Sequence, residues 1–389
     1  FVSYNTRPGW RTLSALRDML LYHTRETADP QVKTARARGL LDFLTQEMPK
    51  RNVTTAGLLK SYTEFFNQEL QRLGGAEEGY VAHELLEAVN GPVYFSEFMA
   101  RAGRHDLQFV TEFDFRTSQT NTLEPSLANG LMNVARDVIE WEQYVDFIKG
   151  RTFRMTLLCH DGVRVSRTMK PEVLMNLYLA SSAKPITEVE NNSVAVKIFG
   201  DPDGVSLSTD HPVTKETLTY LAEIWPRSVP FAAAFDEARA RLHLAAQGDD
   251  RSALDARMLG NNLLTAFTYS PRLVELSVFS PRFVTEVSER PMASPWARVQ
   301  GQDSFRVTNL RHESVELDAI QGYLLPYVDG TRDRAALLYA LMVGPVAAGK
   351  MTVKHQDVPL QDPVQIRDVL APEIEEALKR TARLALLVA

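Results

Sequence analysis

The chain has 389 residues, of which 44% are hydrophobic and 24% charged, a composition typical of a globular protein with roughly two to four domains. Its net charge of −6 argues against a general nucleic-acid binder, which needs a net basic surface to release phosphate counterions. The single cysteine, Cys159, cannot form an internal disulfide and fits a reducing compartment, most simply the cytoplasm. No apolar run reaches the roughly 18 residues that span a bilayer, so we expect no membrane segment.

The chain opens with FVSYNTRPGW, in which Ser3-Tyr4-Asn5 predicts the end of a strand and Pro8-Gly9 a turn. Apolar residues then recur at helical spacing between residues 11 and 75, which predicts three amphipathic helices, the third ended by Gly74-Gly75. Three such helices alone leave an apolar stripe uncovered. This block therefore predicts a partner surface.

The middle of the chain mixes helices and strands. The patterns predict helices over residues 80–90 and from Phe95, a strand over 107–113, one long helix over about 127–149, and a strand in RTFRMTLLCHDG (151–162). A hairpin over 193–208 and helices over 214–225 and 231–246 follow.

The clearest linker is GDDRS, residues 248–252, where we expect a domain boundary. The patterns beyond it predict a helix over 253–269, strands over 273–279 and 305–310, helices over 317–327 and 332–343, a strand over 350–354 and a terminal helix over 364–387. Because Asp329-Gly330 makes a turn between two of these helices and a strand follows them, this order is that of a winged-helix unit.

Two short stretches resemble functional motifs. GPVAAGKM (344–351) approaches a phosphate-binding loop, but a helix is predicted before it and Met351 replaces the magnesium-binding hydroxyl, so a helix-to-strand turn is favoured. HELLE (83–87) resembles a zinc-binding helix, but Glu87 replaces the second histidine and no third ligand is evident. The favoured interpretation is that His83 and Glu87 lie on the polar face of a helix.

No motif supplies a complete catalytic apparatus. Cys159 and His160 are adjacent on a predicted strand, so their side chains point to opposite faces and do not form a nucleophile–base pair. The sequence contains no G-x-G-x-x-G and no G-x-S-x-G.

The strand ending at Asn5 and the stretch FSEFMARAGRHDLQFVTEF (95–113) together resemble the closing part of class I S-adenosylmethionine-dependent methyltransferases. In that fold the fifth strand leads through a loop to a helix and then to the sixth strand. By this resemblance Phe95-Ser96 opens the helix, Ala102-Gly103 closes it, and residues 107–113 form the sixth strand.

More specifically, the chain is similar to bacterial methyltransferases with a methyltransferase regulatory domain, a group that includes rickettsial protein-lysine methyltransferases. The similarity is dense over residues 1–160 and thin from 161 to about 300. The matching segments, in the family's order, are SYNTRPGW (3–10), LRDMLLYH (16–23), ARGLLDFL (37–44), YVAHELLEAVNGPVYFSEF (80–98), LQFVTE (107–112), YVDFIKGRTFRMTLLCH (144–160) and YVDGTRDRAALLYAL (327–341).

The family's cofactor-binding half, with its glycine-rich loop, has no counterpart in this sequence and is expected upstream. The resemblance therefore implies that the chain is a fragment beginning inside the fifth strand, and that residues 1–3 lack a sheet neighbour on at least one side. S-adenosylmethionine is then the cofactor of the full-length parent. We expect none for this chain alone, which should be inactive by itself.

The resemblance also implies where the substrate binds. Ligands of open α/β sheets lie beyond the carboxyl ends of the strands, which places residues 4–6 at the mouth of the methyl-transfer site. The candidate substrate-binding residues are Tyr4, Asn5, His83, Glu84, Tyr94 and Phe95. Catalytic and cofactor-binding residues stay unassigned, and no metal site is expected.

The expected fold is mainly α with α+β parts. The expected regions are the end of the Rossmann-like methyltransferase sheet (1–10), a helical insertion that forms a homodimer (11–78), a methyltransferase regulatory domain with the last core helix and strand (79–160), a mixed α/β middle domain (161–247) and a C-terminal winged-helix-like domain (248–389).

The function implied by the resemblance is the regulatory, dimerisation and substrate-binding part of a methyltransferase acting on protein lysine in the cytoplasm. One alternative is a non-catalytic regulatory or protein-binding module. Another is a winged-helix DNA-binding regulator, against which the acidic balance argues. The expected partners are a second copy of the chain and a protein substrate, without a membrane or a nucleic acid.

Overall fold

The computed structural model describes residues 1–47, 58–75, 78–114, 123–167, 169–191, 194–244, 250–355 and 358–388. The chain divides into two compact units, residues 1–167 and 168–389, and each is described by itself. Within the described ranges, none of the helices combines the length and the apolar character that crossing a membrane requires.

The first unit contains three strands and seven α-helices among its described residues. They are β1 (Val2–Asn5), α1 (Trp10–His23), α2 (Pro30–Glu47), α3 (Leu58–Gly74), α4 (Glu78–Tyr80) continued by a π-helical turn (Val81–Leu85), α5 (Phe95–Gly103), β2 (Leu107–Glu112), α6 (Pro125–Val134), α7 (Val138–Lys149) and β3 (Phe153–His160).

The three strands form one sheet in the order β1-β3-β2. Since β3 is antiparallel to both neighbours, β1 and β2 run parallel to each other. Helix α5 packs on this sheet through Phe95 and Met99, which share a core with Phe109 of β2. Strand, helix and parallel strand thus follow the order implied by the methyltransferase resemblance. Strand β1 lies at one edge, with β3 as its one partner among the described strands.

Helices α1, α2 and α3 form a separate apolar core beside the sheet. Its fully buried side chains include Leu20, Leu41 and Leu73, one from each helix, because the apolar residues of each helix fall on a single face. The predicted helices are confirmed over these ranges. The predicted end of the second helix at Met48 and the start of the third at Thr55 lie outside the described residues.

The long helix predicted over residues 127–149 is wrong, because the structure has two helices there. Helix α6 ends at Val134, and α7 starts after Asp137, whose carboxylate accepts hydrogen bonds of 2.9 Å from the backbone N–H groups of Ile139 and Glu140. An aspartate that satisfies these free donors favours a new helix start over a continuous helix.

The second unit contains strands paired in small sheets and further helices. They are a 3₁₀ turn (Pro171–Asn176), β4 (Tyr178–Ala180), β5 (Lys184–Asn191), β6 (Val194–Gly200), β7 (Ser206–Thr209), α8 (Pro212–Ile224), β8 (Val229–Pro230), α9 (Phe231–Arg241), α10 (Asp250–Tyr269), β9 (Glu275–Ser277), β10 (Met292–Ala293), α11 (Pro295–Gln300), β11 (Arg306–Thr308), β12 (Ser314–Glu316), α12 (Ala319–Leu324), a 3₁₀ turn (Leu325–Tyr327), α13 (Arg334–Leu341), a π-helical turn (Met342–Val346), β13 (Lys354–His355), β14 (Val358–Pro359), α14 (Pro363–Arg383) and β15 (Leu387–Val388).

Helices α8, α9 and α10 share one apolar core. Leu218, Phe235 and Leu259 are buried in it together with side chains from β4. The boundary predicted at Gly248 lies outside the described residues, but α10, which we expected in the C-terminal domain, packs into this middle core. Its buried apolar side chains, including Leu263, belong to this core.

A second core, formed by α11 to α14, underlies the winged-helix part. Leu324, Leu337 and Leu378 are buried in it. The predicted turn between the two helices contains Gly330 at φ +84°, a left-handed conformation that glycine adopts without strain. The following strand, predicted over 350–354, is the short β13, and the terminal helix ends at Arg383.

Candidate functional site

The loop that follows β1 is held from two sides. Thr6 donates its backbone N–H to the carbonyl of Thr152 at 2.9 Å and its hydroxyl to the carbonyl of Val93 at 2.9 Å. Gly9 donates its N–H to the carbonyl of Arg151 at 3.1 Å. These hydrogen bonds hold the carboxyl end of β1, and with it Asn5, in a fixed position within the unit.

Asn5, Glu84 and Asn90 form a polar cluster at this strand end. Asn5 Nδ2 donates to Glu84 Oε1 at 2.6 Å and lies 3.5 Å from Asn90 Oδ1, while Asn90 Nδ2 donates to the backbone carbonyl of Glu84 at 3.1 Å. Because a carboxylate accepts hydrogen bonds, this contact fixes the orientation of the Asn5 amide. Its Oδ1 atom is buried and has no hydrogen-bond partner among the described residues.

Tyr4 precedes Asn5 in β1, so its side chain points to the opposite face of the strand from the Asn5 cluster. Its ring stacks on Phe98 of α5 with 4.2 Å between ring centroids, and its hydroxyl lies 3.2 Å from the hydroxyl of Thr156. Burial raises the pKa of Tyr4 above its usual range, against the opposing effect of the Thr156 hydrogen bond. Tyr4 therefore stays neutral at physiological pH and packs against α5.

Tyr94 and Phe95 are adjacent in sequence but lie in different surroundings. Tyr94 precedes α5 and its hydroxyl accepts a hydrogen bond of 2.8 Å from Arg11 Nη2. Phe95 is fully buried between Phe109 and the guanidinium of Arg154, which lies 3.8 Å from its ring centroid. The structure thus places Phe95 in the core rather than on the predicted substrate wall, because the first turn of α5 faces the sheet.

His83 points away from the Asn5 cluster. Its side chain is 83% exposed, and its Nδ1 lies 3.4 Å from Glu87 Oε1, one turn further along. The structure therefore brings Asn5 and Glu84 together at the end of β1, places Tyr4 on the other face of that strand and leaves His83 on the polar face of its turn. No described residues form a group of three or more His, Cys, Asp or Glu side chains that could hold a metal ion.

A buried ionic network lies behind this site and was missed in the sequence. Arg154 of β3 is fully buried, and its guanidinium donates to Asp146 at 2.8 and 2.9 Å, to Glu142 at 2.9 Å and to Glu112. Arg151 adds a second cation, 3.4 Å from Asp146. Burial raises the pKa of Asp146, and the nearby Arg154 opposes that shift.

Polar contacts connect this ionic network to Tyr4 of β1. Glu112 of β2 also accepts a hydrogen bond of 2.9 Å from the Thr156 hydroxyl, the same hydroxyl that contacts Tyr4. A chain of polar contacts thus runs from Tyr4 to Arg154. The signal in the sequence was an arginine in an apolar strand and carboxylates at residues 142 and 146, four apart on one helix face.

GPVAAGKM does not have the surroundings of a phosphate loop. Helix α13 and its π-helical extension precede the segment, and Met351 is buried in an apolar cluster with Val353 and Leu370. The predicted interpretation as a turn between a helix and a strand is confirmed, because β13 follows.

Two family models match parts of the chain. A predicted methyltransferase regulatory domain matches residues 77–160, and the C-terminal winged-helix domain of PKMT matches residues 289–386. The chain therefore contains both domains that the resemblance implied, and the winged helix covers a shorter range than the predicted 248–389.

Relatives and solved structures agree with this. The Rickettsia prowazekii (strain Madrid E) protein RP789 is 27% identical over 100% of this chain and 68% of its own length, and RP028 of the same strain is 30% identical over 28% of this chain and 41% of its own length. PKMT2 from Rickettsia typhi superimposes on 100% of this chain and 74% of its own chain with a TM-score of 0.80 at 23% identity, and its complex with AdoHcy does so, with the same coverage and identity, at 0.79. The chain thus has a methyltransferase-related fold.

Proposed function

We propose that this chain, which carries a methyltransferase regulatory domain and a PKMT winged-helix domain, is the regulatory, dimerisation and substrate-binding part of a methyltransferase that modifies lysine side chains of proteins. The observation that carries the proposal is the polar cluster at the end of β1. There a buried amide oxygen of Asn5 has no partner among the described residues, and the Glu84 carboxylate lies 2.6 Å from the same amide.

This cluster suits a lysine amine. The Asn5 oxygen can accept one N–H of the amine, and the Glu84 carboxylate attracts the ammonium form and can hold the proton that must leave before attack. Orientation and exclusion of water are the contributions that methyl transfer most needs from protein side chains.

S-adenosylmethionine, the cofactor that the proposed reaction implies, would supply a methyl group on a sulfonium. We assign no residue of this chain to hold it, because the sequence contains no G-x-G-x-x-G and the candidate site offers a pairing group for an amine rather than a nucleotide cradle. Calorimetry of the chain with S-adenosylmethionine should therefore show weak or no binding, and nanomolar binding would contradict the assignment.

The amine-binding role is tested with two probes that differ by the side-chain amine. In NMR titrations of this chain, N-acetyl-lysine amide should bind about tenfold or more tightly than N-acetyl-norleucine amide, which lacks the amine. Glu84→Gln should abolish that preference, since it removes the charge that attracts the ammonium.

Glu87→Gln is the matched control, because Glu87 is an exposed carboxylate near the same turn that bonds to His83 instead. It should leave the preference for the lysine probe unchanged. Equal affinity of the unmodified chain for both probes would refute the assignment of Asn5 and Glu84 to a substrate amine.

A further inference from the structure

A second pocket lies beside the candidate site, at the first turns of α1. It has a volume of about 340 Å³. Its lining contains three arginines, and the full set of lining residues is Arg7, Trp10, Arg11, Ser14, Arg17, Asn90 and Pro92. The size is that of a small-ligand pocket, and the walls combine a buried indole with three guanidinium groups.

The three arginines lack the carboxylates that other arginines of the chain have. Arg154, Arg241 and Arg311 each pair with two or more acidic side chains. In the part of the chain that the structure describes, no carboxylate lies within 4.0 Å of the guanidinium groups of Arg7, Arg11 and Arg17. Three unneutralised cations in one concave site, in a chain of net charge −6, are an unusual concentration of positive charge.

The contacts of these arginines leave donors free. Arg17 reaches the backbone carbonyl of Glu87 through Nη2, while its Nε is buried and has no partner among the described residues. Arg11 donates to the hydroxyl of Tyr94, and Arg7 lies over the same ring, 5.9 Å from its centroid. The contacts thus hold the side chains in place without neutralising their charge.

A bound anion would offset the electrostatic repulsion among these three arginines. Like charges that face one concave space repel one another, and the positive end of the α1 dipole adds to the same potential. Planar guanidinium groups recognise carboxylate and phosphate oxygens with paired hydrogen bonds, and water is a poorer match for them.

We propose that this pocket is a binding site for an oxyanion group, a carboxylate or a phosphate. Asn90 belongs both to the pocket and to the Asn5 cluster, so the bound group would lie next to the position proposed for the substrate amine. The binding itself does not depend on methyl transfer, so it can be tested whether or not the proposed function holds.

The test titrates this chain at low ionic strength with two probes, inorganic phosphate and a short peptide of glutamates. At least one of them should bind, and added sodium chloride should weaken that binding. Binding of the peptide but not of phosphate identifies an acidic polypeptide as the source, and the reverse identifies a free phosphate. A peptide of glutamines of the same length should not bind.

Three variants locate the binding. Arg11→Gln should weaken it about tenfold or more, and Arg11→Lys should weaken it less, since it keeps the charge but loses the paired hydrogen bonds. Arg101→Gln changes the net charge equally at an exposed arginine outside the pocket and should have less than about a twofold effect. Absence of binding by both probes, or equal losses in Arg11→Gln and Arg101→Gln with unchanged circular dichroism, overturns the proposal.

Discussion

Position 9 requires glycine because there is no space for a side chain, and not because of its backbone conformation. A Cβ atom at this position would lie 1.9 Å from the carbonyl oxygen of Gly150. The same two backbone segments are joined by the hydrogen bond from the Gly9 N–H to the carbonyl of Arg151, which fixes the loop after β1. The close approach of two backbone segments thus holds the candidate site in place.

Gly9→Ala should lower the free energy of unfolding by about 1–3 kcal/mol or more, because the added methyl group overlaps backbone atoms. Gly39→Ala, in the exposed middle of α2 with no atom within 4 Å of its Cβ position, should instead raise it by up to about 1 kcal/mol. Urea denaturation of both variants measures the difference. Equal changes in the two would show that the contact with Gly150 carries no cost.

Single residues also show what the sequence could predict. Asn5 and Glu84 are far apart in the chain, and only the resemblance to a methyltransferase sheet suggested that they meet. Phe95 and His83 were predicted from the same segment, but Phe95 lies in the core and His83 faces the solvent. The segment around Tyr80 combines an α-helical and a π-helical turn, so α-helical periodicity does not predict which of its side chains are exposed. The cluster was thus partly predictable and its boundaries were not.

Among the elements, β2, β3 and α7 are joined by the charge of Arg154. Its guanidinium contacts carboxylates from β2 and α7, and each of these side chains is almost completely buried. A buried ion pair contributes little net stability compared with apolar packing, but removing one partner leaves the other buried charges unpaired. The register of these three elements therefore depends on this residue.

Arg154→Met should lower the free energy of unfolding by about 3–5 kcal/mol, since three carboxylates lose their main cation in a buried site. Arg136→Met removes an exposed arginine that pairs with Glu140 one turn away and should change stability little. Chemical denaturation compares the two. A small effect of Arg154→Met would mean that water reaches the network and that it does not hold the elements together.

Most elements were predictable from apolar spacing, because helices α1 to α3 and α14 each have one continuous buried face. The ionic network around Arg154 was not predictable, because Glu112 is 42 residues from Arg154 in sequence and no local pattern connects them. The break between α6 and α7 had a visible signal in Asp137, a strong helix-start residue that the apolar spacing outweighed.

At the scale of the whole molecule, we propose that the chain forms a homodimer through residues 11–78. The support is an apolar surface on α1 and α2, where Tyr22, Val32 and Phe43 have exposed fractions of 68%, 52% and 59%. Side chains of this size on adjacent helices are typical of interaction surfaces.

Light scattering after size exclusion should therefore give twice the 43.7 kDa mass of the chain. Phe43→Asp should shift the mass toward that of the monomer, because it buries a charge in the proposed interface. Phe279→Asp makes the same change at a phenylalanine that is 65% exposed outside this block and should leave the dimer intact. A monomer mass for the unmodified chain over a wide concentration range would contradict the proposal.

The domain order was predictable because each part has its own core, while the boundary near α10 was not. The amphipathic pattern of α10 predicts that one of its faces is buried, but not which neighbouring element covers that face. In the structure, this face packs into the middle core.

The most direct test of the central claim is the chemical identity of the methylated product. The protein of the complete reading frame is incubated with methyl-tritiated S-adenosylmethionine and a mixture of denatured proteins, and the hydrolysed products are separated by amino-acid analysis. The account predicts tritium in Nε-methylated lysine and a loss of about a hundredfold in the rate when Glu84 is changed to Gln. Label in small molecules or in other amino acids, or no transfer at all, would contradict it.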